Sequence, residues 1–253
     1  MTTVDERRIG VRRHCSPLTV SIVLAWAAVT VAQFGAGWHV VDHDALLGHG
    51  GLPSLGAVTS FALAWVVMVT AMMLPTAVPL IRLFTATAAR QSHPRLAGAA
   101  FVGGYLAVWT VFGWAALAFD GLVHHAVDTW PWLDAHDQFV AAGVLALAGA
   151  FQFSQLKDVC LRTCRHPAAY LLAKYRRGIG AAWRIGAGHG LFCLGCCWAL
   201  MLVAFALGMT HLALMAGFTA LMAYEKTGLH GVLVAKVAGL GLLAAAVAVA
   251  AHL

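Results

Sequence analysis

Five of the six cysteines in the sequence fall into two closely spaced groups, and thiols at such spacings can bind a metal ion. Cys160 and Cys164 are four residues apart, so a helix would carry both thiols on one face. Cys193, Cys196 and Cys197 form the second group, and their spacings also place the sulfur atoms on a shared helical face. Thiolates select soft cations, above all Cu(I), and they also suit Zn(II).

Two methionines, Met72 and Met73, add thioether sulfur at the end of an apolar segment, just before Pro75. Thioethers also prefer Cu(I). Packing is the alternative for each residue taken alone, because buried Cys acts as a small hydrophobe and Met fills irregular gaps. Two close-spaced thiol groups nevertheless favour a metal site. The predicted ligands are Cys160, Cys164, Cys193, Cys196 and Cys197, with Met72 and Met73 secondary; copper is the favoured metal and zinc the alternative.

Four polar residues are candidates to support such a site: Gln152, His189, Glu225 and Lys226. Gln152 lies about two helical turns before Cys160, so an uninterrupted helix would put it on the same face. His189 precedes Cys193 by four residues and is expected on the cysteine face. Glu225 and Lys226 end an apolar segment and are expected at the same depth as the thiols.

Two segments of different chemistry, residues 39–54 and 120–138, are rich in His and Asp. The candidate ligands there are His39, Asp42, His43, His124, His125 and Asp128. Imidazole and carboxylate suit Cu(II), Zn(II) or Mn(II). One hypothesis is that these residues collect a divalent ion while the Cys and Met residues hold a softer or reduced one. The alternative is that Asp and His only keep short loops hydrated.

The composition indicates which kind of protein must position these residues. Hydrophobic residues make up 61% of the 253 residues and charged residues only 10%, whereas soluble domains contain about 25% charged residues. This excludes a soluble globular enzyme, a disordered chain and a nucleic-acid module, despite a net charge of +6. Because helices satisfy every backbone polar group in lipid, the sequence predicts an all-α polytopic membrane protein.

Seven apolar segments approach the length of about 20 residues that a membrane-spanning helix needs. They cover residues 18–38, 55–73, 96–119, 139–156, 188–206, 209–224 and about 229–251. We expect one helical transmembrane domain over residues 18–253, preceded by a basic segment at 1–17. The helix of the fourth segment is expected to continue until Pro167 stops it. Gly186, Gly188, Gly190 and Gly195 predict close helix packing.

The placement of charge predicts the orientation in the membrane. Lys and Arg concentrate before the first apolar segment, after the second, between the fourth and fifth, and after the sixth. Segments 39–54 and 120–138 contain neither, and instead hold six Asp. By the positive-inside rule, the N-terminus is cytoplasmic. The sulfur residues are then expected in or near the cytoplasmic leaflet and the His/Asp segments on the opposite side.

Several strings in the sequence are similar to those of a known family. They are WVVMVTAMMLP at residues 65–75, FSQLK at 153–157 followed by Cys160, Cys164 and Pro167, GLFCLGCCWALM at 190–201, and Glu225-Lys226. Together, over about residues 60–230, they resemble the bacterial family described as predicted metal-binding integral membrane proteins, a domain of unknown function. The resemblance implies a multi-pass protein of the bacterial inner membrane that binds metal, with copper handling suggested and no established reaction.

The string HLALM at 211–215 departs from this resemblance, since an Asn-Leu-x-Trp-Met-like string is expected there. The departure leaves any role of an Asn or Trp at this place in doubt and adds His211 as a candidate ligand.

These observations lead to one leading hypothesis and two alternatives. The leading hypothesis is an inner-membrane copper-binding protein that acts in metal trafficking or delivery, with a membrane metalloenzyme or a soluble metal carrier as its partner. The first alternative is a membrane redox enzyme that uses the thiols with a quinone or haem. The second is a non-catalytic assembly or scaffold subunit in which Cys and Met only pack. Lipid is an expected partner and nucleic acid is not.

Overall fold

The computed structural model describes residues 17–34, 55–136, 138–206 and 212–251, and this part of the chain is all-α, as predicted. The eleven helices in these ranges are α1 (Pro17–Phe34), α2 (Leu55–Met72), α3 (Leu74–Ala88), α4 (Pro94–Thr129), α5 (Pro131–Asp134), α6 (Gln138–Phe151), α7 (Gln155–Arg165), α8 (Pro167–Lys174), α9 (Ile179–Ala206), α10 (Leu212–Thr227) and α11 (Gly231–Ala251). No strand occurs in the same ranges. The predicted basic segment at 1–17 lies almost entirely outside the described residues.

Four of the described helices, α1, α4, α9 and α11, are each long and apolar enough to cross a membrane. The pairs α2–α3 and α6–α7 pass the same test together, although they bend by 70° and 62°, so the described chain offers four to six spans. The count of seven is not confirmed. The sixth predicted segment corresponds to α10, whose 16 residues extend only about 24 Å, short of a hydrocarbon core of about 30 Å.

The bend between α2 and α3 follows from the chemistry of Pro75. Proline has no N–H, so the carbonyl of Ala71 loses its partner four residues later in the helix. The indole Nε1 of Trp26 in α1 donates to that carbonyl oxygen at 3.0 Å. Past the bend, Thr76 Oγ1 donates to the carbonyl oxygen of Met73 at 2.8 Å. The bend is therefore hydrogen-bonded on both sides and sets the position of Met73.

A second bend overturns the prediction of one helix running to Pro167. Helix α6 ends at Phe151 and α7 starts at Gln155, after Ser154, whose hydroxyl accepts from the backbone N–H of Lys157 at 3.1 Å. A serine in this capping position favours a new helix start over continuation. Gln152 consequently does not share a helical face with the cysteines of α7. It lies in the break, where it packs against Gly239 of α11.

Helix α9 lies at the centre of the bundle, packed most extensively along α4 and also against α6, α7 and α10. Glycine permits the contact with α4, since a Cβ on Gly186 would overlap the carbonyl oxygen of Phe101 and one on Gly104 that of Trp183. In its most apolar stretch α9 is 61% buried, whereas α1 is only 6% buried. The predicted close packing by glycines is thus confirmed, and α9 is the element on which the others converge.

Candidate metal centre

Three cysteines of α9 share one buried face, as their spacing predicted. Cys193, Cys196 and Cys197 are each no more than 1% exposed. The thiols of Cys196 and Cys197 both donate to the carbonyl oxygen of Cys193, at S···O distances of 3.1 and 2.8 Å. His189 lies one turn before Cys193 and is also buried, at 4% exposed. The face therefore carries nitrogen and sulfur ligands on consecutive turns.

Sulfur atoms from two other segments meet this face. The bend between α2 and α3 brings Sδ of Met73 to 3.8 Å from Sγ of Cys197. From α7, the thiol of Cys164 interacts with that of Cys196, which also interacts with Cys193 and Cys197. We call Cys164, Cys193, Cys196 and Cys197 the thiol cluster. The three sulfur-bearing segments that were expected at one depth do meet in space.

The remaining two predicted sulfur ligands lie beside the thiol cluster. Sγ of Cys160 packs on the backbone of α9, where a Cβ added to Gly195 would lie only 2.5 Å from it. Met72 is fully buried in the hydrophobic core, one residue before the bend that directs Met73 toward Cys197. The five described cysteines are all free thiols.

A buried lysine is in direct contact with the thiol cluster. Nζ of Lys226 lies 2.9 Å from Oγ1 of Thr76, 3.1 Å from Sγ of Cys193 and 4.0 Å from Sγ of Cys197. Lys226 is only 5% exposed, and no carboxylate is among these partners. A buried charge is costly unless it is paired. The site therefore places a positive charge where it can balance negative sulfur ligands.

Tyr105 of α4 connects the thiol cluster to the bend at Met73. Its hydroxyl donates to the carbonyl oxygen of Met73 at 3.2 Å and lies 3.0 Å from Sγ of Cys193. The side chain is completely buried. Tyr105 thus contacts both the bend at Met73 and the cysteine face of α9.

A buried ion pair joins α7 to α10 beside the thiol cluster. Nζ of Lys157 and Oε2 of Glu225 are 2.7 Å apart, and both side chains are 1% exposed. Arg165 donates to the carbonyl oxygens of Glu225 and Gly228 at 2.6 and 2.8 Å. Because Glu225 directly precedes Lys226, these contacts fix where the lysine enters the thiol cluster.

A cavity of about 300 Å³ adjoins the thiol cluster. Ten described residues line it: Thr76, Pro79, Leu80, Cys164, Arg165, His166, Pro167, His189, Lys226 and Thr227. The ring of His189 stacks at 5.8 Å from that of Tyr105, and its Nδ1 has no hydrogen-bond partner. His189 thus lines the cavity with its imidazole ring, while its Nδ1 is itself enclosed.

Tyr170 of α8 holds the other side of the His189 ring, with ring centroids 5.8 Å apart. Its hydroxyl donates to the carbonyl oxygen of Ile185 at 2.9 Å. Burial raises the pKa of Tyr170 to about 12, so this donor stays protonated at neutral pH. His189 is therefore fixed between two aromatic rings.

The sulfur atoms are not arranged as a finished metal site. Among the described residues, no group of three or more His, Cys, Asp and Glu side chains has the geometry to hold a metal ion. Two of the thiols are turned toward the carbonyl oxygen of Cys193 instead. Ligands must be deprotonated to bind a metal, so metal binding would replace these hydrogen bonds and reorient the side chains.

Comparison with known proteins adds the family. A family model described as a copper chaperone, PpoB2, matches residues 62–249, which is most of the chain and includes the whole thiol cluster. The chain belongs to the PpoB2 copper chaperone family. No curated protein and no solved structure matches. Membership supports metal binding and copper, gives no support to zinc, and fits the predicted role in copper trafficking and a partnership with a metalloenzyme or metal carrier.

The His and Asp residues of this family member are placed differently from its thiols. His39, Asp42 and His43 lie outside the described residues. Near the end of α4, Nδ1 of His124 lies 3.0 Å from the carbonyl oxygen of Asp120. His125 and Asp128 are exposed on the same helix. His124 is 19 residues beyond Tyr105, or about 28 Å along the helix axis, so these residues do not join the thiol cluster.

The polar support residues have mixed outcomes in the structure. Lys226 and His189 lie at the thiol cluster and its cavity, and Glu225 acts through its pair with Lys157. Gln152 is buried, but both of its side-chain amide atoms lack a hydrogen-bond partner, so it donates no hydrogen bond to the thiol cluster.

Three residues at or beside the site were missed by sequence reasoning: Thr76, Tyr105 and Lys157. Lys157 was counted as a cytoplasmic charge, yet it is 1% exposed. The sequence does contain a signal for Tyr105, because a tyrosine hydroxyl within an apolar segment needs a hydrogen-bond partner inside the protein. Thr76 directly follows Pro75, where the helix bend places polar groups inside the bundle.

Proposed function

We propose that this chain is a membrane-embedded copper chaperone that binds Cu(I) at the thiol cluster and passes it to a copper-dependent enzyme or a soluble carrier. The observation that carries the proposal is the meeting of three buried thiols, one partly buried thiol and one buried thioether from three separate segments. Soft sulfur ligands of both kinds select Cu(I). Cys193 and Cys197 are the central proposed ligands, with Met73 as the thioether ligand.

The other predicted ligands have supporting places in this proposal. Cys164 and Cys196 complete the thiol cluster, and Cys160 and Met72 adjoin it. Cu(I) is satisfied by a low coordination number, so the absence of a ready three-ligand group among the described residues is compatible with it. The thiols can hand the ion from one pair to another as side chains rotate.

The charge at the site supports a monovalent ion. Two thiolates and one Cu(I) carry a single net negative charge, and the ammonium of Lys226, 3.1 Å from Cys193, would neutralise it. A divalent ion on the same two thiolates would leave the ammonium without a counter-charge in a buried site. Since unpaired buried charge is strongly disfavoured, the arrangement favours Cu(I).

We place the protein in the bacterial inner membrane, with the N-terminus and the thiol cluster toward the cytoplasm. Four helices, or six with the bent pairs, are long and apolar enough to span a bilayer. The Lys- and Arg-free segments at 39–54 and 120–138 support the orientation through the positive-inside rule. A cytoplasmic site would meet the reducing conditions that keep thiols free and copper as Cu(I).

Metal analysis of the purified protein tests the proposal. The full chain is purified in mild detergent under reducing conditions, loaded with Cu(I), and its bound copper is titrated against a chromogenic Cu(I) chelator. The double variant Cys193→Ser with Cys197→Ser is expected to lose the copper that resists the chelator. Cys15→Ser is the matched thiol control, since Cys15 lies outside the matched region, and it should bind as the wild type does.

Three results would contradict the proposal. Full copper retention by the double variant would show that the thiol cluster does not hold the metal. A haem or quinone spectrum in the purified wild type, without bound copper, would favour a membrane redox enzyme instead. A wild type that binds no metal and tolerates Cys→Ala changes would favour a scaffold subunit.

A further inference from the structure

The cavity beside the thiol cluster is lined by both exposed and buried residues. Among the residues lining it, His166 and Thr227 are exposed, whereas His189 and Lys226 are 4% and 5% exposed. The cavity is formed where α3, the junction of α7 and α8, α9 and the end of α10 meet. Its volume of about 300 Å³ is at the lower end of the range of small-molecule sites.

The charged residues that line the cavity are all positive. Arg165 and Lys226 contribute two cations, and none of the described lining residues is acidic. Arg165 is held by two backbone carbonyl oxygens and Lys226 by a hydroxyl and thiols, so neither cation is neutralised by a carboxylate there. A bare Cu(I) ion would be repelled by this lining. An anionic copper complex would be attracted to it.

Two candidate receiving ligands lie in the cavity wall. Cys164 carries a thiol that also interacts with Cys196 of the thiol cluster. His189 lines the cavity with an imidazole ring that is 4% exposed, and its enclosed Nδ1 has no hydrogen-bond partner. Buried polar atoms are nearly always hydrogen-bonded, so an orphaned one calls for an explanation. A ligand-binding role, in which the ring turns to bring this nitrogen into the cavity, would give it a partner.

We infer that this cavity is the copper uptake site, and that it receives Cu(I) as an anionic complex with small thiolate molecules through Cys164 and His189. The inference rests on the proposed function, since it names the form and route in which the cargo of the thiol cluster arrives. Nothing in the copper chaperone family match assigns either residue this part.

The transfer is a ligand exchange without a redox step. A Cu–S bond to one carrier thiolate breaks as a Cu–S bond to Cys164 forms, and the thiol proton of Cys164 leaves with the departing carrier. A Cu–N bond to the imidazole of His189 replaces the bond to the second carrier thiolate, which leaves as the thiolate anion and carries away the negative charge of the complex. Copper remains Cu(I) throughout, so no oxidant or reductant is needed.

The face of α9 provides a continuation from the cavity to the buried sulfur atoms. His189, Cys193 and Cys197 are successive residues at intervals of four, which corresponds to about 6 Å of rise per step. Met73 then lies 3.8 Å from Cys197. Each step is short enough for a ligand exchange in which the ion is never released.

Uptake kinetics of the full chain in nanodiscs of uncharged lipid test the inference. Copper is offered either as the anionic Cu(I)–glutathione complex or as the cationic Cu(I)–acetonitrile complex, and bound copper is measured after rapid desalting at successive times. At low salt the wild type should load about tenfold faster from the anionic complex. High salt should reduce that preference, because it screens the cavity charge.

The variant His189→Phe keeps an aromatic ring between Tyr105 and Tyr170 but removes the nitrogen. We expect it to load about tenfold more slowly from the glutathione complex, by analogy with losses at supporting metal ligands, and to reach the same final copper content. Cys164→Ser, on a different helix, should slow loading similarly and covers the case that the first variant folds poorly. His230→Phe, an exposed histidine outside the cavity lining, is the matched control.

The outcomes separate this inference from the proposed function. Unchanged loading rates in both variants, or faster loading from the cationic complex at low salt, would overturn the uptake site while leaving copper binding intact. A wild type that binds no copper from either complex would overturn the proposed function and the uptake site together.

Discussion

The thiol cluster and the His/Asp residues near the end of α4 are both rich in potential metal ligands, but they are held in different ways. The thiol cluster draws side chains from α7 and α9 and contacts the bend at Met73, α4 and α10, and its α9 cysteines are buried. His124, His125 and Asp128 come from one helix, and two of them are exposed. Potential metal ligands are thus gathered and buried where several helices meet, and left exposed where a single helix carries them.

Helix α4 contributes residues to both regions, so their distance from each other can be measured along one helix axis. Tyr105 contacts the thiol cluster, and His124 lies about 28 Å further along the same helix, close to the thickness of a bilayer core of about 30 Å. The two regions therefore lie far apart along one helix that is long and apolar enough to cross a membrane. Matched substitutions at the two ends can test whether the difference in burial carries a difference in function.

The largest effect is expected from removing a buried carboxylate. Glu225→Gln leaves the ammonium of Lys157 buried without its partner 2.7 Å away, and breaking one side of such a pair costs about 3 kcal/mol. Asp128→Asn makes the same change of charge at the exposed end of α4 and should cost less than about 0.5 kcal/mol. Thermal unfolding of both variants in the same detergent measures the difference.

Restoring the charge balance provides the control for that experiment. The double variant Glu225→Gln with Lys157→Met should recover part of the lost stability, because no unpaired charge remains. Equal stability losses at Glu225 and Asp128 would show that the burial of the two ends does not distinguish them.

An intermediate effect, on the Cu(I) affinity, is expected from replacing the thioether of Met73. Met73→Leu keeps the volume of the side chain but removes the sulfur atom 3.8 Å from Cys197. We expect the Cu(I) affinity to fall about tenfold, equivalent to about 1.4 kcal/mol. Met215→Leu alters another buried methionine and should leave the affinity unchanged, as measured by competition with a Cu(I) chelator. Equal affinities of both variants would remove Met73 from the ligand set.

The smallest effect is expected at the other end of α4. His124→Ala combined with His125→Ala should change the Cu(I) affinity less than about twofold, because distant sites act independently. Equilibrium Cu(I) competition checks this, and loss of Cu(I) binding would abolish the distinction between the two ends. Slower uptake of Cu(II) by the same variant would instead support the hypothesis that these residues collect a divalent ion.

The sequence predicted the helices well and their breaks less well. The apolar segments correspond to described helices, because the length of a spanning segment is set by the bilayer and can be read locally. The bend at Pro75 has a local cause, yet the donor that satisfies the freed carbonyl of Ala71, Trp26, lies 45 positions away and could not be read locally. The break at Ser154 was missed, since a serine cap and a serine within a helix look alike in the sequence.

The candidate site was predicted in its sulfur atoms and in Glu225 and Lys226, but the burial of its charged residues was not predicted. Regular spacing placed the cysteines of α9 on one face, because helical periodicity acts over neighbouring turns. Lys157 and Lys226 were counted as charges that determine topology, whereas both are buried in internal contacts. Burial of a lysine depends on where its distant partner lies, which no local pattern reports.

By itself the sequence determined that the chain is apolar enough for a bilayer, that it forms helices, and that its thiols fall in two helical groups. Only the tertiary structure decided which groups meet. Cys197 contacts Met73 across 124 positions, and Lys226 contacts Thr76 across 150. Composition and spacing act over a few turns of helix, whereas the site depends on the packing of α9 against elements far apart in the chain.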